Sequence, residues 1–228
     1  AVLGSVGLAF PPVDRGPLIE RIQRERFERE GKAMPTGEGN PLVHEFVACG
    51  RPLKGHEIRV VDEAGRELPE RREGKVEFRG PSATSGYFRN PDATRELFRG
   101  EWLATGDLGY IASGDLYVTG RTKDIIIRAG RNIYPHEIEE AVGGIDGIYT
   151  GNVAVFGCEE PETGTTRLIV VAETRKREAA AVESLRSRVN EVCGEILGTP
   201  PDAVILAPPR SVLKTSSGKV RRAACREL

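Results

Sequence analysis

The sequence predicts an α+β fold in two parts, a small β-barrel-like subdomain over residues 1–120 and a compact α+β domain over residues 125–228. Two observations lead to this prediction. From Glu45 to Val118, short segments alternate apolar and polar residues between Gly, Pro or acidic turns, which is typical of strands in a small barrel or sandwich. After residue 124, strand-like and helix-like segments are mixed over about a hundred residues, the size of one domain.

The composition is that of a globular protein without a strong preference for polyanions or lipid. The chain has 228 residues, of which 39% are hydrophobic, and this fraction is sufficient to form buried hydrophobic cores. Its formal charge is −1, with 33 basic and 34 acidic residues interspersed, so we expect no nucleic-acid partner. No apolar run approaches the ~20 residues of a membrane span. The four cysteines lack zinc-motif spacing, which favours reduced thiols in a cytoplasmic protein.

The first part of the chain carries several predicted elements. Ala1–Val13 is predicted to be a buried strand whose partners lie upstream, and 18–30 to be a solvated helix with a thin apolar stripe. A short helix is expected to run to Phe98, with Asn90 as its cap and Pro91 at its first position. Strands are predicted at 56–62, 74–80 and 115–119.

The second part opens with an apolar strand, Asp124–Arg128, followed by a glycine turn and a helix over 135–142. Four polar residues, Arg121–Asp124, precede that strand, and three of them are charged, although a plain hairpin would need only a turn. We therefore place the boundary between the two parts at 121–124. The remaining predicted elements are strands near 152–157 and 167–173, a helix at 179–197, a strand at 203–207 and a helix near 218–227.

Three motifs stand in order along the chain: TGD at 105–107, GRTKDIIIRAGRNIYPHEIEEA at 120–141 and KTSSGK at 214–219. Together they resemble the motifs of the adenylate-forming enzymes, which include acyl-CoA synthetases, fatty-acyl-AMP ligases, peptide-synthetase adenylation domains and luciferases. The resemblance covers nearly the whole chain. It implies that residues 1–120 end a large adenylating domain and that 125–228 form the small mobile C-terminal domain.

The resemblance also implies roles for three residues around ATP. Lys219 would bridge the substrate carboxylate and the α-phosphate, Asp107 would accept both ribose hydroxyls, and Arg121 would make a second ribose contact. From the residues alone, other interpretations stay open. Lys219 could be a surface lysine in a basic tail, and Asp107 an acid that caps its own turn. Arg121 could form a salt bridge with Asp124 or Glu137.

By the same resemblance, Lys123 and Asp124 form the hinge on which the small domain turns, with Lys123 as the pivot. The turn would move Lys219 out of the site after adenylation and bring the face at Gly130 in for thioester formation. Gly130 would then allow the close approach of a pantetheine arm. The alternative is a glycine that only supplies the positive φ of a turn.

These motifs predict a fragment of an ATP-dependent ligase that activates a fatty acid as acyl-AMP and passes it to the phosphopantetheine thiol of an acyl carrier protein. A fatty-acyl-CoA synthetase and a non-catalytic interaction module are the alternatives. The resemblance implies ATP and Mg²⁺, with the magnesium ligands mostly upstream of Ala1, and the histidines lack zinc-peptidase spacing. Because the chain starts at Ala1 and its only methionine is Met34, we expect a fragment that is inactive alone.

Overall fold

The structure is a computed structural model, and it describes residues 9–37, 39–160 and 164–227. The chain divides into two compact units, Ala1–Lys123 and Asp124–Leu228, and each is described by itself. The predicted α+β class is confirmed, since a curled antiparallel sheet is followed by a compact mixture of helices and strands.

The first unit is built on eight antiparallel strands with two short helices. Six strands follow one another across the sheet in the order β1-β3-β8-β7-β5-β4, with β2 also paired to β3 and β6 to β7. In chain order the elements are β1 (Ala9–Phe10), β2 (Ile19–Gln23), α1 (Arg24–Glu30), β3 (Val43–Pro52), β4 (Glu57–Val61), β5 (Gly74–Arg79), α2 (Pro91–Leu97), β6 (Phe98–Arg99), β7 (Trp102–Ala112) and β8 (Asp115–Arg121).

An aromatic cluster joins α1 to strands of this sheet. The ring of Phe27 lies 5.4 Å from that of Phe46 and 5.9 Å from that of Tyr110, in tilted and edge-on geometries. Tyr110 also stacks on Tyr117 of the neighbouring strand, with ring centroids 4.9 Å apart. This packing fixes β7 against β8, the two strands that carry the candidate nucleotide-binding residues.

Most predictions for the first unit are confirmed, including the strands that became β4, β5 and β8. The capped helix is also confirmed, because the side chain of Asn90 accepts a hydrogen bond of 3.0 Å from the main chain of Ala93, and Pro91 is the first helical residue.

The helix predicted over 18–30 is wrong in its first half. Residues Ile19–Gln23 form strand β2, and only Arg24–Glu30 are helical. The main chain of β2 pairs with β3, and Ile22 is fully buried opposite His44. Tertiary pairing therefore overrides the helical spacing of the apolar residues.

The predicted strand at the start of the chain lies mostly outside the described residues. Its described end, Ala9–Phe10, pairs with Pro52 and Arg51 of β3, so this part has a partner within the chain, and the expectation of partners upstream stays a prediction. Phe10 is half exposed, and the prediction of a buried strand is wrong for that residue.

The second unit is a three-stranded sheet with helices on it and a small hairpin before it. Its elements are β9 (Ile126–Arg128), β10 (Arg131–Ile133), α3 (Pro135–Gly143), β11 (Val153–Glu160), β12 (Thr165–Glu173), α4 (Ala179–Leu197), β13 (Ala203–Ala207) and α5 (Arg222–Arg226). Strand β12 is central, antiparallel to β11 and parallel to β13.

Alternate residues of β11 and β12 bury opposite faces of that sheet. Val155 and Leu168 pack under α3 and α4, while Phe156 and Ile169 pack against Val212 and the α5 residue Cys225.

All four cysteines are free thiols. Among the residues that the structure describes, no helix has the length and apolarity needed to cross a membrane.

The predicted helices at 135–142 and 179–197 and the strands after the hinge are confirmed, although residues 161–163 between β11 and β12 lie outside the described part. Two predictions were too long. The strand expected from Asp124 begins only at Ile126, and the last helix begins at Arg222 and not near 218. Lys219 therefore lies in a loop before α5.

Candidate functional site

The pairing of β7 with β8 brings Asp107 and Arg121 together. The two residues are direct cross-strand partners, and Arg121 Nε lies 3.3 Å from Asp107 Oδ1. Their side chains are 30% and 52% exposed, so the pair is open to solvent. Within its own unit, Arg121 is thus paired with Asp107, and the alternative of a salt bridge with Asp124 or Glu137 stays a prediction.

The backbone around Asp107 is irregular, and its shape is held by hydrogen bonds. Gly106 has a φ of +78°, and the ladder slips by one residue between Leu108 and Gly109. The hydroxyl of Thr105 donates to the carbonyl of Val76 at 2.9 Å and accepts from the N–H of Asp107 at 3.0 Å. Asp107 therefore lies just before a bulge in β7, and its main-chain N–H is held by the hydroxyl of Thr105.

The predicted hinge residues lie on either side of the division between the units. Lys123 is in a turn and ends the first unit, whereas Asp124 begins the second. Asp124 is tied to its own unit, because Arg222 donates to its carboxylate from Nη1. The same guanidinium donates from Nε and Nη2 to the two oxygens of Glu139 at 2.8 and 2.6 Å.

Arg222 is mostly buried, with 18% of its side chain exposed. Burial by itself lowers the pKa of Arg222, but Glu139 and Asp124 outweigh that effect and raise it. Glu139 also accepts the N–H of Val155 at 3.0 Å. The start of the second unit is thereby fixed to α3, to β11 and to the base of α5.

Gly130 lies at the tip of the hairpin formed by β9 and β10. Arg128 and Arg131 are paired, so Ala129 and Gly130 form a two-residue turn with φ values of +50° and +71°. A Cβ added to Gly130 would meet no atom within 4 Å in this structure. The positive φ requires a residue that tolerates the left-handed region, and the open space leaves the tip accessible.

Lys219 closes a tight loop that begins at Lys214. Lys214 and Val220 form an antiparallel bridge, and the N–H of Thr215 donates to the carbonyl of Lys219 at 2.8 Å. The hydroxyl of Thr215 accepts the N–H of Lys219 at 3.1 Å. Lys219 is exposed, and among the described residues of its own unit its ammonium has no hydrogen-bond or ion-pair partner.

The C-terminal end carries a group of basic residues, Lys214, Lys219, Arg221, Arg222 and Arg226. The interpretation of this group as a solvated basic tail is wrong for two of its members. Arg222 is held by two carboxylates, and the ammonium of Lys214 donates to the side-chain oxygen of Asn152. The supporting residues Glu139, Asn152 and Glu173 were not predicted from the sequence. The one signal for Glu173 is a carboxylate at the end of the apolar run LIVVAE.

The described residues contain no cluster of three or more His, Cys, Asp or Glu side chains that could hold a metal ion. The expectation that the magnesium ligands lie mostly upstream of Ala1 stays a prediction.

No protein-family model matches the chain, but comparisons with known proteins find relatives that cover nearly all of it. A protein of Caulobacter vibrioides named as an acyl-CoA synthetase is 35% identical over 221 residues, which are 96% of this chain and 38% of that protein. Long-chain-fatty-acid–AMP ligase FadD26 of Mycobacterium tuberculosis is 33% identical over 239 residues, covering 96% of this chain and 40% of FadD26. The chain is homologous to the adenylate-forming acyl ligases.

Solved structures of these acyl ligases and their neighbours share the fold. A chain from a study of fatty acyl-adenylate ligases from E. coli and L. pneumophila is 34% identical, with a TM-score of 0.86, over 96% of this chain and 39% of that one. ATP-bound MatB from Rhodopseudomonas palustris is 30% identical, with a TM-score of 0.64, over 87% and 36%. This chain corresponds to the C-terminal portion of its acyl-ligase relatives and spans about 40% of their length.

Proposed function

We propose that this chain is the C-terminal part of an ATP-dependent ligase that activates a fatty acid as acyl-AMP, releases pyrophosphate and passes the acyl group to the phosphopantetheine thiol of an acyl carrier protein. The observation that carries the proposal is the exposed ammonium of Lys219, presented on a loop whose flanks are held in place. Homology to acyl ligases and ATP-bound structural neighbours supports it.

Adenylation joins two anions, so a cation between them lowers the barrier. An oxygen of the fatty-acid carboxylate attacks the α-phosphorus of ATP, the bond to the bridging oxygen of the β-phosphate breaks, and pyrophosphate leaves. Lys219 stabilises the charge on both reacting groups as they approach. Asp107 accepts the ribose hydroxyls, because an ionised carboxylate is an acceptor only, and Arg121 steadies that carboxylate and contacts the ribose.

The two steps of the reaction need different groups at the same place. We assign the hinge to residues 121–124, between a large-domain portion at 1–120 and a small domain at 125–228, with Lys123 as pivot. Rotation there withdraws Lys219 after adenylation and brings the accessible hairpin tip at Gly130 to the pantetheine arm. The isolated chain is expected to release no pyrophosphate from ATP and a fatty acid.

The acceptor is the second point to test, because the relatives carry both kinds of name, acyl-CoA synthetase and fatty-acid–AMP ligase. The full-length ligase is given its fatty acid, ATP and either CoA or an acyl carrier protein bearing phosphopantetheine. We expect thioester on the carrier protein. Efficient formation of acyl-CoA would show that the acceptor is CoA and not a carrier protein. The proposed adenylation step would be unaffected by that result.

The decisive experiment is Lys219→Ala in the full-length ligase, with Lys176→Ala, another exposed lysine of the same unit, as the matched control. We expect acyl-AMP formation to fall about 10²-fold or more, as for loss of one positioned group that stabilises transition-state charge. Thioester formation from added acyl-AMP should persist in this variant. Near-normal adenylation by Lys219→Ala would reject the proposal in favour of a non-catalytic interaction module.

A further inference from the structure

The end of strand β12 carries a carboxylate that the proposed reaction does not use. Glu173 is 1% exposed, and an acid is rarely buried to this degree unless its oxygens are bonded. Its Oε2 accepts from Asn152 Nδ2 at 2.6 Å, and its Oε1 accepts from the N–H of Val212 at 2.8 Å. Glu173 therefore binds the segment that leads into the lysine loop.

Burial by itself raises the pKa of Glu173, yet the pKa is lowered overall. The causes are the hydrogen bond from Asn152 and those from the main-chain N–H groups of Val212, Arg210 and Ser211. These donors favour the ionised form, so the group is a carboxylate at neutral pH. The N–H of Val212 donates to Glu173 at 2.8 Å, which fixes the main chain at the point where it enters the lysine loop.

Asn152 extends this contact to the first residue of the KTSSGK motif. Because its amide nitrogen donates to the carboxylate of Glu173, its amide oxygen faces the other way and accepts from the ammonium of Lys214. Lys214 is thus held through its side chain, while Val212, two residues earlier, is held through its main chain.

The loop between Lys214 and Lys219 is closed by main-chain contacts, so the position of Lys219 depends on that of Lys214. Lys214 bridges to Val220, and main-chain hydrogen bonds join Thr215 to Lys219 at 2.8 Å and Gly218 to Thr215 at 2.9 Å. A shift of Lys214 therefore moves the whole loop.

We propose that Glu173 is a positioning residue for Lys219, acting through Asn152, Lys214 and the main chain of Val212. The inference rests on the proposed function, because it gives Lys219 the adenylation step. Glu173 itself touches no reacting atom.

The isosteric change Glu173→Gln tests this without creating a cavity. Glutamine replaces one acceptor oxygen by an NH₂ group, which must face either the N–H of Val212 or the NH₂ of Asn152, so one donor is left without its acceptor. We expect the path of residues 210–214 to shift while the hydrophobic packing stays. A displacement of about 1 Å can cost about 10²-fold in rate, so a partial shift should cost at least about tenfold.

In the full-length ligase, Glu173→Gln should lower kcat for acyl-AMP formation at least about tenfold, with KM for ATP and fatty acid changed less than about twofold. Thioester formation from added acyl-AMP should stay near the wild-type rate, because Lys219 is not needed there. The control is Glu191→Gln, which changes an exposed glutamate of α4 paired with Arg188. Asn152→Ala should likewise slow acyl-AMP formation and leave thioester formation unchanged. If Glu173→Gln does not fold, Asn152→Ala tests the inference in its place.

Equal loss of both half-reactions would show that Glu173 only stabilises the fold, and wild-type adenylation would show that it does not position Lys219. Either result overturns the inference. Lys219→Ala is assayed in parallel. If that variant adenylates normally, the proposed function fails; if it loses adenylation while Glu173→Gln and Asn152→Ala do not, the inference fails alone.

Discussion

The two candidate groups for ATP chemistry are held in opposite ways. Asp107 and Arg121 face each other across paired strands, and main-chain hydrogen bonds place them although both side chains are partly exposed. Lys219 lies on a loop, and buried charged side chains hold that loop at both ends, Glu173 before it and Arg222 after it. A strand-borne group should therefore tolerate changes around it, whereas a loop-borne group should depend on single distant side chains.

The sharpest test of this difference is Arg222→Met in the chain itself. The change leaves Glu139 and Asp124 without their cation, and removing one partner of a buried pair costs about 3 kcal/mol. We expect a lower thermal unfolding midpoint and faster hydrogen exchange at the amide of Val155, which donates to Glu139. Arg188→Met, in an exposed pair, is the matched control and should cost less than about 0.5 kcal/mol. Similar stability of the two variants would mean that the loop does not depend on its buried anchors.

For the exposed pair of Asp107 and Arg121, we expect a small effect on stability and a larger effect on activity. Asp107→Asn should change the free energy of unfolding by less than about 1 kcal/mol, since exposed ion pairs contribute little. In the full-length ligase the same change should raise KM for ATP about tenfold, because a hydrogen bond to a charged acceptor is worth about 1.5 kcal/mol. Arg121→Met should have a smaller effect in the same direction. An unchanged KM for Asp107→Asn would remove Asp107 from the nucleotide site.

The smallest expected effect is at the hairpin tip. Gly130→Ala places a side chain at a φ of +71° and should destabilise the hairpin by about 1 kcal/mol, since no atom lies near the added Cβ. In the full-length ligase it should slow thioester formation more than acyl-AMP formation if the pantetheine arm passes close to this backbone. If both half-reactions respond alike, Gly130 is only a turn residue.

Much of the local structure could be predicted from the sequence. The capped start of α2, the helices at 135–142 and 179–197 and the strand at 203–207 all have local signals, such as Asn90 before Pro91 or a sustained apolar period. The segment 18–30 could not be predicted correctly, because its apolar residues fit either a helix or a strand and pairing with β3 decides between them. The candidate residues Asp107 and Lys219 came from motifs, and their assigned roles remain predictions.

The sequence by itself determined the α+β class, the order of the elements and the motifs that resemble acyl ligases, because these depend on local periodicity and on residues adjacent in the chain. Only the tertiary structure decided that Asp107 faces Arg121, that Arg222 joins Asp124 to Glu139, and that Glu173 holds the lysine loop. The partners of Arg222 lie 98 and 83 residues away. No local pattern encodes the contacts of Arg222 and Glu173, since they arise only when burial forces each charged group to find a counterpart across the fold.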